Sequence, residues 1–282
     1  MSNLISANEL HTLVTTNADH VRIIDCRFKL TDPQAGRALY DEGHLPGAQF
    51  FDLDADLSVL PAANGHGGRH PLPPVDAFEK RLQAAGISAD TTVIAYDDAG
   101  GLFSGRLWWM LKYLGHDDVK LLDGGIQAWQ AAGYELTTAV PTFAPSVFQA
   151  RPRPEMLASI DEVKQNLDVP DVLLVDARGA ERYRGDNEPM DKQAGHIPSA
   201  INLPFPDNLQ DGTFKDIDTL AARFEDLTEA ETVIVYCGSG VSAAHNVLAL
   251  DEVGIKNTKL YVGSWSDWSS REDTPVATGE EP

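Results

Sequence analysis

Short runs of Val, Ile and Leu alternate along the chain with stretches whose apolar residues recur at helical spacing. Residues 92–96 and 232–236 read Thr-Val-Ile-Ala-Tyr and Thr-Val-Ile-Val-Tyr, and each run precedes a turn and a helical pattern. Those helical patterns contain the apolar groups 108–111 and 247–250. Alternating strands and helices are typical of an α/β fold, with a mainly parallel sheet covered by helices on both faces.

The same landmarks occur in the same order in both halves of the chain. Each half has a strand ending in Asp-x-Arg, then a Gly-His-(Leu/Ile)-Pro-(Gly/Ser)-Ala segment that begins at Gly43 or Gly195. A second strand, a turn and a helical stretch follow in each half, and a further strand then leads to Asp-Gly-Gly at 123–125 with Trp129 or to Val-Gly-Ser at 262–264 with Trp268. This internal repeat predicts two tandem domains. A proline-rich stretch between them is typical of a linker, so we predict domains at 1–140 and 156–282 with a linker at 141–155.

Composition narrows the possible functions. The net charge is −21, from 22 basic and 43 acidic residues, which disfavours nucleic acid and anionic membranes as partners. No apolar run approaches the roughly 20 residues of a membrane helix, and the N-terminus lacks a secretory pattern, so we expect a cytoplasmic protein. The two cysteines and eight scattered histidines lack metal-ligand spacing, so we expect no metal and no cofactor.

Cys237 stands at the end of an apolar strand and the start of a glycine-rich turn, Cys-Gly-Ser-Gly-Val-Ser. Such a turn, followed by a helix, directs several N–H groups at one point and favours an anion there. A cysteine at that point is held as the nucleophilic thiolate. The equivalent position of the first half is Asp97, which predicts one working site per chain. Cys26 lacks the loop and is interpreted as structural.

A phosphatase would share this cysteine-loop arrangement but would need an arginine six positions after the cysteine, where this chain has Ala243. The sequence therefore disfavours a phosphatase. A non-catalytic interaction module is a further alternative. Modules of that kind lose the cysteine, whereas the second half of this chain retains it.

The tandem layout, the two Gly-His-x-Pro-x-Ala segments and the Asp-Gly-Gly-x-x-x-Trp signature resemble the two-domain rhodanese-type sulfurtransferases. The cysteine loop and the Gly-Ser-Trp run at 263–265 are similar to the 3-mercaptopyruvate branch, since thiosulfate-specialised members carry basic residues after the cysteine. The resemblance implies two rhodanese-like domains, of which only the second keeps the nucleophile.

The resemblance also implies a reaction. Cys237 would take sulfur from a small-molecule donor, 3-mercaptopyruvate, and hold it as a persulfide. A small thiol, thioredoxin or cyanide would then accept the sulfur. Thiosulfate is the alternative donor. A monomer is expected.

By motif position, the resemblance implies a set of site residues. The catalytic residues are Cys237, Ser239 and His44, and the persulfide-binding loop comprises Gly238, Ser239, Gly240, Val241 and Ser242. The substrate-binding residues are Arg182 and Arg106. The family commonly shows Glu-Pro-Arg where this chain has Glu-Pro-Met, ending at Met190. A second substrate arginine is therefore missing, and Arg184 or Lys192 is offered as its replacement.

Other polar residues receive structural interpretations. Arg27 and Arg178 each follow a strand-end Asp and are expected to pair with carboxylates inside their own domains. His44 and His196 occupy equivalent positions, so a turn-stabilising role common to both is the alternative to a catalytic His44. The run Gly-His-Gly-Gly-Arg-His at 65–70 is expected to be a flexible surface loop.

Overall fold

The structure is a computed structural model that describes residues 2–282. Strands and helices alternate along this part of the chain. The strands are β1 (Leu4–Ile5), β2 (Val21–Asp25), β3 (Ala48–Phe50), β4 (Thr92–Tyr96), β5 (Val119–Leu122), β6 (Val172–Asp176), β7 (Ala200–Asn202), β8 (Leu209–Gln210), β9 (Thr213–Phe214), β10 (Thr232–Tyr236) and β11 (Thr258–Leu260). The helices are α1 (Ala7–Thr16), α2 (Ala35–Glu42), α3 (Val75–Ala84), α4 (Ser104–Tyr113), α5 (Gly125–Ala131), α6 (Ile160–Gln165), α7 (Ala180–Arg184), α8 (Ile217–Arg223), α9 (Ser242–Glu252) and α10 (Ser264–Trp268).

Most of the strands form two parallel sheets with matching orders. One sheet has the order β1-β5-β4-β2-β3 and the other has the order β11-β10-β6-β7. All pairings within these two sheets are parallel. The central strands β4 and β10 are the apolar runs of the sequence repeat, and their Val-Ile cores are completely buried. The predicted α/β fold with two tandem parallel sheets is confirmed.

The described chain divides into two compact units that exchange short segments. Unit 1 contains residues 2–59, Leu72–Arg153 and Asp211–Phe214. Unit 2 contains Leu60–Pro71, Pro154–Gln210 and Lys215–Pro282. The domain bounds predicted from the sequence are contiguous and include no such exchange. The important consequence is that Leu60–Pro71 belongs to unit 2, which also contains Cys237.

A buried ion pair stands at the end of the equivalent strand in each unit. Arg27 Nη2 lies 2.6 Å from Asp25 Oδ2, and Arg178 Nη2 lies 2.6 Å from Asp176 Oδ2. The guanidinium groups also donate to the carbonyls of Gly43 and Gly195 at the Gly-His segments. The predicted intradomain pairing of both arginines is confirmed, and it ties each Gly-His segment to its strand.

The proline-rich segment after α5 packs along unit 1. It has neither helix nor strand from residue 138 to residue 153. The N–H of Ser146 donates to Gln83 O across 2.9 Å, and the N–H of Arg151 donates to Leu114 O across 2.8 Å. Phe148 is 4% exposed. These contacts make the segment part of the surface of unit 1 up to Arg153.

Candidate active site

Cys237 directly follows β10, in the loop that joins this strand to α9. β10 lies between β6 and β11, so its carboxyl end opens at the middle of the unit 2 sheet, where parallel sheets bind ligands. The N–H of Gly240 donates to the Cys237 sulfur across 3.2 Å. Cys237 is 2% exposed, so the sulfur lies at the bottom of its loop rather than on the surface.

The start of α10 and a required glycine hold this loop in place. The N–H groups of Trp265 and Ser266 donate to the carbonyls of Cys237 and Gly238, each across 2.9 Å. Gly240 has φ +76°, and a Cβ at this position would lie 2.5 Å from the Val262 carbonyl oxygen. Only glycine combines that backbone conformation with so close a contact.

The loop lowers the pKa of the Cys237 thiol. Burial by itself raises this pKa, because it penalises the charged form. The Ser242 hydroxyl and the N–H groups of Ser239, Ala243 and Gly240 donate hydrogen bonds to the sulfur and outweigh burial, so the pKa lies below its ordinary value. Donors of this kind stabilise the thiolate. The structure therefore provides the electrostatic setting that the sequence predicted for a nucleophilic cysteine.

The equivalent loop of unit 1 is filled by its own carboxylate. Asp97 Oδ1 accepts from the N–H groups of Ala99 and Gly101 at 2.8 and 3.0 Å. Asp97 Oδ2 accepts from the N–H groups of Phe103 and Ser104 at 2.8 and 2.9 Å. The carboxylate thus takes the N–H donors that a thiolate would use, which explains how this loop keeps its shape without a cysteine.

Cys26, the other cysteine, has the opposite electrostatics. Burial raises the pKa of the Cys26 thiol well above its ordinary value, and the carboxylates of Asp25 and Asp97 raise it further. The residue is 1% exposed. Its structural interpretation agrees with this environment.

Two guanidinium groups lie against Gly238, beside the cysteine. A Cβ built on Gly238 would lie 2.9 Å from Arg69 Nη2 and 3.2 Å from Arg182 Nη1. Arg182 is the substrate arginine proposed from the sequence, and the structure places it at the loop. Arg69 comes from the Leu60–Pro71 segment. Because guanidinium groups bind carboxylates through paired N–H donors, this face of Gly238 is suited to an anion.

Two buried carboxylates hold these guanidinium groups. Glu188 accepts from Arg182 Nε at 3.0 Å and from Arg182 Nη2 at 2.8 Å. Asp191 accepts from Arg182 Nη2 at 3.1 Å and forms an ion pair with Arg69 Nη1. The side chains of Glu188 and Asp191 are 2% and 4% exposed. Arg69, rather than a residue near Met190, is the second arginine beside the loop.

The replacements offered from the sequence are not the cations nearest to Gly238. Arg184 pairs with the exposed Asp186 at 2.7 Å, and Lys192 is exposed. Met190 is 45% exposed. The three atoms nearest to a Cβ at Gly238 belong to Arg69 and Arg182, whereas Lys192 and Met190 line a cavity together with Arg69.

Ser239 has a histidine partner. Ser239 Oγ lies 2.8 Å from His70 Nδ1, and the two residues are 7% and 8% exposed. A buried serine hydroxyl that is hydrogen-bonded to an imidazole can pass a proton in either direction. His70 therefore joins Ser239 in the candidate site.

The structure gives His44 and Arg106 buried positions in unit 1. His44 Nδ1 lies 2.8 Å from Tyr40 O and Nε2 lies 3.2 Å from Ala139 O. His196 repeats these contacts in unit 2, with the carbonyls of Tyr183 and Glu281. The repetition favours the turn-stabilising role for both histidines. Arg106 is completely buried within α4. A catalytic His44 and a substrate-binding Arg106 remain predictions.

The prediction of a flexible surface loop at 65–70 is wrong for Gly68, Arg69 and His70. Gly68 and His70 are buried, and the N–H of Arg69 donates to Ser266 Oγ across 3.1 Å. A Cβ on Gly68 would lie 2.5 Å from Gly263 O, so this segment packs closely on the start of α10. The sequence feature that could have indicated a functional role for this segment was an Arg-His pair directly after closely spaced glycines in a strongly acidic chain.

Within residues 2–282, no group of three or more His, Cys, Asp and Glu side chains is arranged to hold a metal ion. None of the helices described above combines the length and the apolar character needed to cross a bilayer.

Comparisons with known proteins show which proteins this chain is similar to. The model of the rhodanese-like domain matches residues 6–132 and 159–271. A probable 3-mercaptopyruvate sulfurtransferase of Pseudomonas aeruginosa is 45% identical over 263 residues, which is 92% of each chain. A Mycobacterium tuberculosis protein named as a thiosulfate sulfurtransferase is 40% identical to this chain, and the match covers 98% of this chain and 97% of that protein.

A solved structure of similar architecture is the 3-mercaptopyruvate sulfurtransferase from Leishmania major. It is 30% identical to this chain, with a TM-score of 0.83, and the match covers 98% of this chain and 76% of that one. The two domain matches, these relatives and the shared architecture together establish that the chain belongs to the rhodanese family, as a two-domain sulfurtransferase of the branch that contains the 3-mercaptopyruvate enzymes.

Proposed function

We propose that this enzyme transfers sulfur from 3-mercaptopyruvate to a thiol acceptor through a persulfide on Cys237. The observation that carries the proposal is the Cys237 thiol itself. Its pKa is lowered by Ser242 and three N–H donors, and two arginines lie against the adjacent Gly238. Nucleophilic sulfur beside an anion site is what a carboxylate-bearing sulfur donor requires.

The first half-reaction balances without any oxidant. The Cys237 thiolate attacks the donor sulfur, so a sulfur–sulfur bond forms while the carbon–sulfur bond of the donor breaks. The electron pair of the broken bond stays on carbon as pyruvate enolate. The proton released from the donor thiol is returned to that carbon, giving pyruvate and an enzyme persulfide.

Ser239 and His70 are proposed to move that proton. Their hydrogen bond of 2.8 Å joins a hydroxyl in the cysteine loop to an imidazole, whose ring nitrogens can accept and donate protons. The sequence assigned this relay to Ser239 and His44. His70 replaces His44 in the proposal, because both ring nitrogens of His44 lie against main-chain carbonyls.

Arg69 and Arg182 are proposed to bind the donor carboxylate. Among the described residues, Arg69 donates hydrogen bonds through its main-chain N–H and through Nη1. The Arg182 guanidinium donates through Nε and Nη2. Arg69 Nη2 and Arg182 Nη1 are the two atoms nearest to a Cβ on Gly238. Two donors on one face can take both oxygens of a carboxylate.

The second half-reaction returns the enzyme to its starting state. An acceptor thiolate attacks the outer sulfur of the persulfide, which forms a new persulfide on the acceptor and releases the Cys237 thiolate. A small thiol or thioredoxin fills this role in the proposal, and cyanide would leave as thiocyanate. The loop N–H groups stabilise the anion in both halves of the cycle.

Thiosulfate is the competing donor, since a relative with 40% identity is named for it. The test is kcat/KM for 3-mercaptopyruvate and for thiosulfate, measured on one preparation with the same thiol acceptor. We expect 3-mercaptopyruvate to be preferred. A preference for thiosulfate would overturn the choice of donor, and an absence of transfer from either donor would overturn the proposed function.

A further inference from the structure

The charges around Gly238 form a balanced cluster. Three guanidinium groups and three carboxylates contact one another there, and all belong to unit 2. The members are Arg69, Arg178, Arg182, Asp176, Glu188 and Asp191. The arginines of the anion site therefore bring no net charge to it, in a protein whose overall charge is −21.

Asp191 is the carboxylate that joins the two arginines beside the cysteine. One of its oxygens pairs with Arg69 Nη1 and the other accepts from Arg182 Nη2 at 3.1 Å. The main-chain N–H of Asp191 donates to Glu188 Oε1 at 3.2 Å, which fixes the backbone of Asp191 to the second carboxylate of the cluster. Because its side chain is only 4% exposed, solvent screens its charge weakly.

We infer that Asp191 determines which donors the enzyme prefers, by limiting the positive charge of the anion site. The inference rests on the proposed function. A monoanionic carboxylate donor such as 3-mercaptopyruvate needs less compensating charge than the dianion thiosulfate. With Asp191 present, the cluster is neutral, so each negative charge on a donor is left uncompensated and a dianion is disfavoured more than a monoanion. Asp191 is thus a positioning and specificity-determining residue, which acts through Arg69 and Arg182.

The test replaces Asp191 with asparagine, which removes one negative charge with little change in size. The ratio of kcat/KM for thiosulfate to kcat/KM for 3-mercaptopyruvate should rise about tenfold, because one buried charge near the donor is no longer cancelled. A second ratio compares the rate of Cys237 alkylation by the anion iodoacetate with the rate of its alkylation by neutral iodoacetamide. The same charge change should raise this alkylation ratio. The alkylation ratio needs no sulfur donor.

Two variants serve as controls. Asp186→Asn makes the same charge change on a side chain that is 56% exposed, and it should leave both ratios unchanged. Asp191→Glu keeps the charge and should retain the donor ratio of the wild-type enzyme even if its turnover falls. Should Asp191→Asn fail to fold, Glu188→Gln removes a charge from the same cluster and should shift both ratios in the same direction.

Ratios that stay constant or fall in the folded Asp191→Asn and Glu188→Gln variants would overturn the inference. An equal rise in Asp186→Asn would also overturn it, since overall charge would then explain the effect. If the wild-type enzyme transfers sulfur from neither donor while the alkylation ratio still rises, the proposed function fails and the role of Asp191 in the site charge stands.

Discussion

Removing the Ser242 hydroxyl should raise the pKa of the Cys237 thiol. Among the groups that lower this pKa, Ser242 is the strongest, ahead of the N–H donors of the loop. A hydrogen bond to a charged group contributes about 1.5–3 kcal/mol, and about 1.4 kcal/mol corresponds to one pH unit. Ser242→Ala should therefore raise the pKa by about 1–2 pH units.

The assay is the rate of Cys237 alkylation by iodoacetamide as a function of pH. The thiolate is the reactive form, so the rate rises as pH increases through the pKa and then levels off. In Ser242→Ala this rise should move to higher pH. Mass analysis of the alkylated peptide distinguishes Cys237 from Cys26.

Ser239→Ala is the matched control. The Ser239 hydroxyl is hydrogen-bonded to His70, and the alanine variant keeps the N–H that donates to the sulfur. Its alkylation profile should stay in place, while its turnover with 3-mercaptopyruvate should fall. If Ser242→Ala leaves the alkylation profile where it is, the explanation of the low thiol pKa is refuted.

Two stability predictions concern the paired loops. Asp97→Ala leaves four N–H groups of unit 1 without their acceptor. Denaturant titration should show a free energy of unfolding that is lower by about 3–5 kcal/mol. A loss under about 1 kcal/mol would contradict the assigned role of this carboxylate. Gly240→Ala forces a Cβ to within 2.5 Å of Val262 O and should destabilise unit 2 by more than the about 1–2 kcal/mol of the backbone strain alone. Gly254→Ala is its control, because Gly254 has φ +88° and no neighbour within 4 Å of a Cβ. Equal losses of unfolding free energy in the two variants would show that the close contact at Gly240 is unimportant.

The fold was accessible from the sequence because it depends on local patterns that occur twice. The Val-Ile runs of β4 and β10, the Gly-His segments and the strand-end Asp-x-Arg pairs each have a counterpart in the other half. The position of Cys237 after a buried strand followed by glycines also predicted it as the nucleophile, and the proposed function keeps that assignment. These features depend on neighbours in the sequence.

Arg69 and His70 were missed because their roles depend on contacts that are distant in sequence. His70 reaches Ser239, which lies 169 residues further along the chain. Nothing local indicates that Leu60–Pro71 packs with unit 2 rather than with the strands that precede it. The same reason explains Asp191, whose importance appears only when Arg69 and Arg182 are seen on either side of it.

The missing arginine at Met190 illustrates the limit of a motif. The family pattern directed attention to neighbouring positions along the chain, Arg184 and Lys192. The fold instead supplies a guanidinium from another segment to the same face of Gly238. A binding site needs a charge at a point in space, and any segment that reaches this point can provide it.

The central claim is tested most directly by the mass of the protein after one equivalent of 3-mercaptopyruvate has been added without an acceptor. The account predicts a gain of one sulfur atom, located on the peptide that contains Cys237, together with release of pyruvate. Cyanide should remove the added sulfur, and Cys237→Ser should never acquire it. Sulfur that appears on Cys26, or pyruvate release by folded Cys237→Ser at the wild-type rate, would contradict the account.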